Sequence, residues 1–142
     1  MTTEESALRG AIERWNSGDL NGYLELYDAR IKLHGNSPAP MDKPGVKSFY
    51  EMIWATLPAK DARNPRLDIA DVLVSGPRLA CRFEMTGVHK GPFMGIPATG
   101  KPYSLPGITI LHFEGARCIE RWSSADMLGL LVQLGAVPPP GG

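Results

Sequence analysis

Asp126 and His89 are the two side chains of this sequence best suited, by type and position, to move protons. Asp126 follows a strand-like run, Arg117 to Ser123, and precedes the apolar run Met127-Leu128-Gly129-Leu130-Leu131, so it stands where a strand becomes a helix. A carboxylate there has two possible jobs. It can cap the helix, because Ser, Asp and Glu stabilise the unpaired N–H groups of a first turn. It can instead point into a dry cavity, where desolvation raises its pKa and makes it a proton carrier near neutral pH. His89 ends a strand-like run beside a Gly/Pro loop, with the parity of Leu79, Cys81, Phe83 and Met85. An imidazole there can hydrogen-bond a substrate oxygen and titrates near neutral pH, or it is a hydrogen-bonded, half-buried structural residue. One carboxylate and one histidine around an apolar cavity suit proton abstraction next to a carbonyl.

The remaining chemistry-bearing residues are weaker candidates. His34 shares the parity of Lys32, which predicts a solvent or rim position, and His112 alternates with Ile108 and Ile110 as a structural residue. Arg82 and Glu84 oppose Phe83 and Met85, as on a solvated or subunit-contact face. Phe49, Trp54 and Trp122 are large apolar residues whose usual place is the core. Phe93 and Met94, a pair inside a Gly/Pro loop, either fold over a cavity or serve a subunit contact. No Ser/His/Asp order has nucleophile-elbow spacing, no Cys/His spacing resembles a zinc site, and the Gly-rich pieces lack phosphate-binding spacing. Acid–base chemistry with no metal and no cofactor is the class that remains.

The elements that must position these residues follow from periodicity. Thr2-Thr3-Glu4-Glu5 fits a capping box, and Ala7, Leu8, Ala11, Ile12 and Trp15 recur at helical spacing. Gly18 ends that helix and Asp19 caps a second, with the stripe Leu20, Tyr23, Leu24 and Tyr27. A strand over 28–35 leads to a Pro-rich loop over 36–45, then a helix over 46–57 stopped by Pro58. Four strand-like runs follow at 66–75, 78–89, 103–113 and 117–123, the third preceded by an ordered loop over 91–102. On the last strand Cys118, Glu120 and Trp122 are expected to share a face, and the same parity extended reaches Asp126. Helices first and an antiparallel meander after is an α+β pattern. Three helices on one face of a strongly curved sheet make a cone with an apolar cavity, a default small-ligand site.

Composition bounds the function further. The chain has 142 residues, room for one domain with a real core, expected over 1–136 with a Pro/Gly tail over 137–142. Lys plus Arg and Asp plus Glu both number 15, and this neutral balance argues against nucleic acid or an anionic membrane as the main partner. No run approaches the roughly 20 apolar residues of a membrane span. The acidic opening MTTEESALRG lacks an apolar leader core, which predicts a cytoplasmic chain with Cys81 and Cys118 as buried free thiols.

Several stretches together resemble the SnoaL-like polyketide cyclases. In the first half these are Leu33-His34-Gly35, Gly45 to Tyr50 (GVKSFY) and Trp54 to Pro58 (WATLP). In the second half they are Gly87 to Lys101 (GVHKGPFMGIPATGK), Trp122 with Asp126, and Gly129 to Gly135 (GLLVQLG). The resemblance implies a cystatin-like, nuclear-transport-factor-2-like cone, assembled through its sheet as a homodimer or homotetramer. It implies ring closure of an aromatic polyketide by intramolecular aldol condensation, without metal or cofactor. The residue matching the family's acid–base aspartate is Asp126, and His89 matches the histidine beside it. His34, Phe49, Trp54, Phe93, Met94 and Trp122 would bind a small hydrophobic, polyketide-like ligand. Val88, Ala98 and Leu57-Pro58-Ala59-Lys60 depart from common family patterns, which leaves the substrate open. Two alternatives use the same cone. Epoxide hydrolysis of the limonene-epoxide-hydrolase type wants an Asp–Arg–Asp cluster, and a non-catalytic carrier needs only the cavity.

Overall fold

A computed structural model describes residues 1–141; Gly142, the last residue of the expected tail, lies outside them. The elements are α1 (Thr3–Asn16), α2 (Leu20–Leu24), β1 (Tyr27–His34), α3 (Lys43–Thr56), β2 (Arg66–Ser75), β3 (Arg78–Val88), β4 (Pro102–Glu114), β5 (Arg117–Ala125) and α4 (Met127–Gln133). Side-chain caps start all four helices. Thr2 Oγ1 accepts from Glu5 N–H, and the Asp19, Asp42 and Asp126 carboxylates accept from Gly22, Gly45 and Gly129 N–H. Helix α3 begins three residues earlier than its apolar stripe predicts. Asp42 supplies the cap, and Pro44 costs nothing in a first turn whose N–H groups have no helical partner.

The strands form one sheet in the order β1-β5-β4-β3-β2. Strands β2 to β5 are an antiparallel meander, and β1 joins as an edge strand parallel to β5. Alternation places Leu79, Cys81 and Met85 of β3 and Tyr103, Leu105 and Leu111 of β4 in the core, under the helices. Trp15 of α1 anchors the helical layer. Its ring meets Tyr23, Tyr50 and Trp54 edge-on at 4.8, 5.3 and 5.3 Å, and its Nε1–H donates to the Pro65 carbonyl at 2.8 Å.

Two bulges interrupt the alternation. On β2 the extra residue is Asp71, with φ of 49°, between Ala70 opposite Arg82 and Val72 opposite Cys81. On β5, Phe113 faces Cys118 but His112 faces Glu120, so Ile119 is the extra residue. A single inserted residue exchanges the faces of everything beyond it. Cys118 is therefore inside, and past the bulge Arg121, Ser123 and Ala125 point inward while Glu120, Trp122 and Ser124 point outward. The bulge corrects the expectation that Cys118 shares a face with Glu120 and Trp122; Glu120 and Trp122 do share one, the outer face, whose groove Asp126 edges.

The outer face of the sheet is unpartnered and ordered in rows. Register aligns Leu73, Ala80, Ile110, Trp122 and His34 across all five strands. Leu73, Ile110 and Trp122 of this row, and neighbouring Ile108, are exposed. On one side lies the row Ser75, Arg78, His112, Glu120 and Lys32; towards the other end lies Asp68, Glu84 and Pro106, whose carbonyl accepts from Asp126 N–H at 2.9 Å.

One end of the cone is closed by backbone contact. The C-terminal end of α3 sits on β3 at Gly87, with Val88 N–H donating to the Pro58 carbonyl at 2.7 Å and Tyr103 OH to the Leu57 carbonyl at 2.6 Å. A Cβ at position 87 would stand 2.6 Å from the Leu57 carbonyl oxygen, a backbone atom that cannot rotate away. Gly87→Ala is expected to lower stability by about 1–3 kcal/mol, the usual cost of overpacking. Urea unfolding checks this, and an unchanged midpoint would show that this end of the cone gives way freely.

Candidate functional site

Between the helices and the inner face of the sheet lies a cavity. Its volume is about 70 Å³, so it is narrow as well as apolar. Leu8, Ile12 and Trp15 of α1, Phe49, Tyr50 and Ile53 of α3, Leu67 and Ile69 of β2, and Phe83 and Met85 of β3 form most of its wall. Polar groups are few: Tyr23, Tyr50, Asn36, Ser123, Cys81 and Arg121, the last being the one charged residue that lines it.

Arg121 is 9 % exposed and makes no ion pair among the described residues. Its Nε–H donates to Thr109 Oγ1 at 2.8 Å. Nη1 donates to the hydroxyls of Tyr23 at 3.2 Å, of Tyr50 at 3.3 Å, and of Tyr27. The tyrosines also bond one another, Tyr23 to Tyr27 at 2.7 Å and Tyr27 to Tyr50 at 3.3 Å. Burial works against the guanidinium charge, but the Tyr27, Tyr50 and Tyr23 oxygens more than offset it and hold the pKa above its already high ordinary value. Burial pushes the Tyr23 and Tyr27 hydroxyls well above the usual tyrosine range, so both are neutral near pH 7. The cluster is thus one cation solvated by neutral hydroxyls at the edge of a narrow apolar space, able to donate to an oxygen that carries or develops negative charge.

The expected site residues separate. Phe49 is the one of them that lines the cavity. Asp126 is exposed, its carboxylate accepts from Gly129 N–H at 2.9 Å, and it edges a groove on the outer face with Arg82 and Ile108. His89 is fully buried beyond the end of β3, outside the cavity lining, in the loop that follows. Its Nδ1 accepts from Thr99 N–H at 3.2 Å and faces Thr99 Oγ1 at 2.9 Å, and its buried Nε2 has no partner among the described residues. His34 and Trp122 stack on the outer face, 5.4 Å between ring centres, with His34 Nε2 2.7 Å from Glu120. Trp54 is buried against Trp15, and Phe93 is buried in the loop. Met94 is 63 % exposed at the tip of a two-residue turn closed by the Phe93–Ile96 bridge, with φ of 50° and 77° at Met94 and Gly95. Arg82 pairs with Asp71 on the exposed outer face, and no carboxylate among the described residues joins Arg121 in the cavity lining, so the Asp–Arg–Asp cluster of epoxide hydrolysis is not assembled there.

The sequence profile of the SnoaL-like polyketide cyclases matches residues 5–134. The chain belongs to this family. Among curated relatives, the aklanonic acid methyl ester cyclase DnrD of Streptomyces peucetius is 23% identical over 136 residues, spanning 95% of this chain and 92% of DnrD. Among solved structures, AclR of Streptomyces galilaeus, for which a hydroxylase function has been suggested, has a TM-score of 0.83 at 23% identity, covering 96% of this chain and 87% of AclR. TsrD of Streptomyces laurentii has a TM-score of 0.81 at 23% identity, covering 95% and 96% of the two chains. The fold is the cystatin/nuclear-transport-factor-2-like cone of these relatives. No helix among the described residues is long and apolar enough to cross a membrane.

Sequence reasoning missed Arg121, Tyr23 and Tyr50 as cavity residues. Tyr23, Tyr27 and Tyr50 all read as apolar-stripe positions, and three buried phenols need polar partners, which was the available signal. Burial of these groups has a consequence at high pH. The Cys118 thiol is pushed up to about 11 by burial, and Tyr23, Tyr27 and Tyr103 are raised by burial as well. The folded chain keeps protons that the unfolded chain releases, so this stability is complete below about pH 9 and lost as pH rises through the folded values. Each group contributes a loss of about 1.4 kcal/mol per pH unit within its window. Melting temperatures are expected to fall steadily between pH 9 and 11, and a flat profile there would contradict the burial of these groups.

Proposed function

We propose that this family member closes a ring in a small, flat, polyketide-like substrate by intramolecular aldol condensation, without a metal or cofactor, inside the cone. The observation that supports this most is the narrow apolar cavity with the Arg121–tyrosine cluster as its one charged feature. The reaction removes a proton from carbon between two carbonyls. The electron pair left behind forms the new C–C bond to a ketone of the same molecule, whose oxygen then takes up a proton. Arg121 and the Tyr23 and Tyr50 hydroxyls donate to the oxygen that becomes negative in the enolate, a kind of contact worth about 10²–10³ in rate when a donor is lost. Phe49, Trp15 and Phe83 hold the flat skeleton folded on itself. The proton leaves to water at the mouth. Asp126 serves this site as the cap of α4, holding Met127 against the cavity.

A second reading gives proton transfer to Asp126. In its favour, the neighbours Ala125 and Met127 both line the cavity, so the carboxylate lies one residue from the substrate on either side. Asp126→Asn separates the two, because Asn caps a helix as well as Asp. On the first reading, turnover of a 1,3-diketone ester bearing an internal ketone stays within about threefold of wild type, and Asp126→Ala costs about 1 kcal/mol of stability. Loss of turnover in Asp126→Asn with binding intact establishes the second reading. Binding without turnover in wild type identifies a carrier.

We also propose that two copies associate through the outer face as a homodimer, with a homotetramer as its further assembly. The exposed row Leu73, Ile110 and Trp122 is flanked by Arg78 and Lys32, with Glu120 between them, on one side and by Arg82 and then Asp68, Glu84 and Asp126 towards the other. A two-fold axis along the apolar row sets the basic flank of each copy over the acidic flank of its partner. Light scattering at micromolar concentration is expected to give a dimer or larger, and Ile108→Lys to weaken it by about tenfold or more. A monomeric wild-type chain would overturn this assembly.

A further inference from the structure

We infer that the cavity holds an anion subsite at Arg121, and that its ligand is a flat apolar molecule carrying one anionic oxygen group, a carboxylate or the enolate of a 1,3-dicarbonyl. The inference rests on the cavity being the ligand site and adds the charge state of what enters it.

The first support is an imbalance of charge. A cation removed from water is costly unless an opposite charge or dense hydrogen bonding replaces the lost hydration. Around Arg121 the hydrogen bonding is present but the opposite charge is absent. Thr109 and the tyrosines are neutral partners, and no carboxylate of the described residues pairs with the guanidinium. Buried thiols do not supply it either, because burial raises Cys81 and Cys118 above the ordinary thiol range.

The second support is geometric. Nε and Nη1 make all the bonds described, and Nη2 makes none of them, while Arg121 lines the cavity. Thr109 and the tyrosines therefore hold the planar guanidinium at Nε and at Nη1, and Nη2, with two N–H donors and no bond among the described residues, remains for an incoming oxygen. Ser123, two residues on along the same strand face, lines the cavity beside it.

The third support is that the arrangement is not needed to satisfy its neighbours. Without Arg121, Tyr23, Tyr27 and Tyr50 still bond one another, and Thr109 Oγ1 still donates to the Trp122 carbonyl at 3.0 Å. Taking a cation out of water carries a desolvation cost, so an apolar residue of similar size at position 121 is expected not to destabilise the fold. A fold that does not need this cation, yet surrounds it with donors and acceptors from four elements, holds it for a ligand.

The test compares 2-naphthoate with its methyl ester on the wild-type chain, by calorimetry and by quenching of tryptophan fluorescence at pH 7. The carboxylate is expected to bind about 10- to 100-fold more tightly than the ester, the range of a charge-assisted hydrogen bond. Arg121→Met is expected to melt at or above the wild-type temperature and to bind both alike. If that variant does not fold, a shift of the Arg121 side-chain N–H resonances with the carboxylate but not with the ester carries the same information. Equal binding of the pair to wild type overturns the anion subsite and leaves the cavity intact as a ligand site. Failure of both to bind, with the aryl 1,3-diketone benzoylacetone failing too, overturns the cavity reading and the subsite together. Benzoylacetone separates the two sources of charge: a long-wavelength enolate band on binding at neutral pH assigns the subsite to enolates, and its absence, with naphthoate retained, assigns it to carboxylates.

Discussion

A guanidinium cation inside an apolar cone is the constraint on which the rest of this structure turns. Its hydration has to be replaced by fixed oxygens, and those oxygens come from different elements: Tyr23 from α2, Tyr27 from β1, Tyr50 from α3 and Thr109 from β4. The cluster therefore does two things at once. The tyrosine hydroxyls bond one another across α2, β1 and α3, and the cation they solvate is held beside the cavity, where donors act more strongly than in water. Neutral phenols suit this better than carboxylates. A carboxylate partner would cancel the charge, whereas hydroxyls solvate it and leave it able to attract a further anion.

The placement of that cation depends on one inserted residue. Ile119 interrupts the pairing of β4 with β5, and everything beyond it changes face. Arg121, Ser123 and Ala125 then serve the cavity, while Trp122 and Asp126 serve the outside. The same bulge organises the outer face, since it brings Trp122 into register with Ile110, Ala80 and Leu73. One sheet thus lines the cavity on one side and presents an exposed apolar row on the other.

The closed end of the cone shows how family motifs can be retained for framework as well as chemistry. His89 continues the β3–β4 ladder past the strand ends, its N–H donating to the Lys101 carbonyl and its carbonyl accepting from Gly100 N–H, each at 2.9 Å. Its ring holds Thr99, and Lys90 and Gly91 N–H donate to the Thr56 carbonyl at the end of α3. The start of the Gly87 to Lys101 segment, Gly87 to Gly91, is accordingly packed between the sheet and the end of α3, while most of residues 92–101 are exposed. Membership of the SnoaL-like polyketide cyclases fixes the cone, while reaction and substrate are properties of the groups that line it.

Much of the frame was legible in residue order. Thr2, Asp19 and the apolar stripes of α1 and α3 are local signals, readable because caps and 3.6-residue periodicity involve neighbours only a turn apart. The alternation of β3 and of Ile108, Ile110 and His112 on β4, the α+β order and the capping role open to Asp126 were legible for the same reason. The cavity residues were not. Parity counted along Cys118, Glu120 and Trp122 assumes an unbroken ladder, and a bulge is decided by the pairing of two strands, which no local pattern of β5 records. Whether His89 meets a ligand or a threonine, and whether Tyr23, Tyr27 and Tyr50 share one cation, depends on contacts between segments up to 98 residues apart. Sequence alone determined which elements form and which of their faces are apolar; tertiary structure decided which polar side chains those faces enclose, because burial is a property of the assembled layers and not of any one segment.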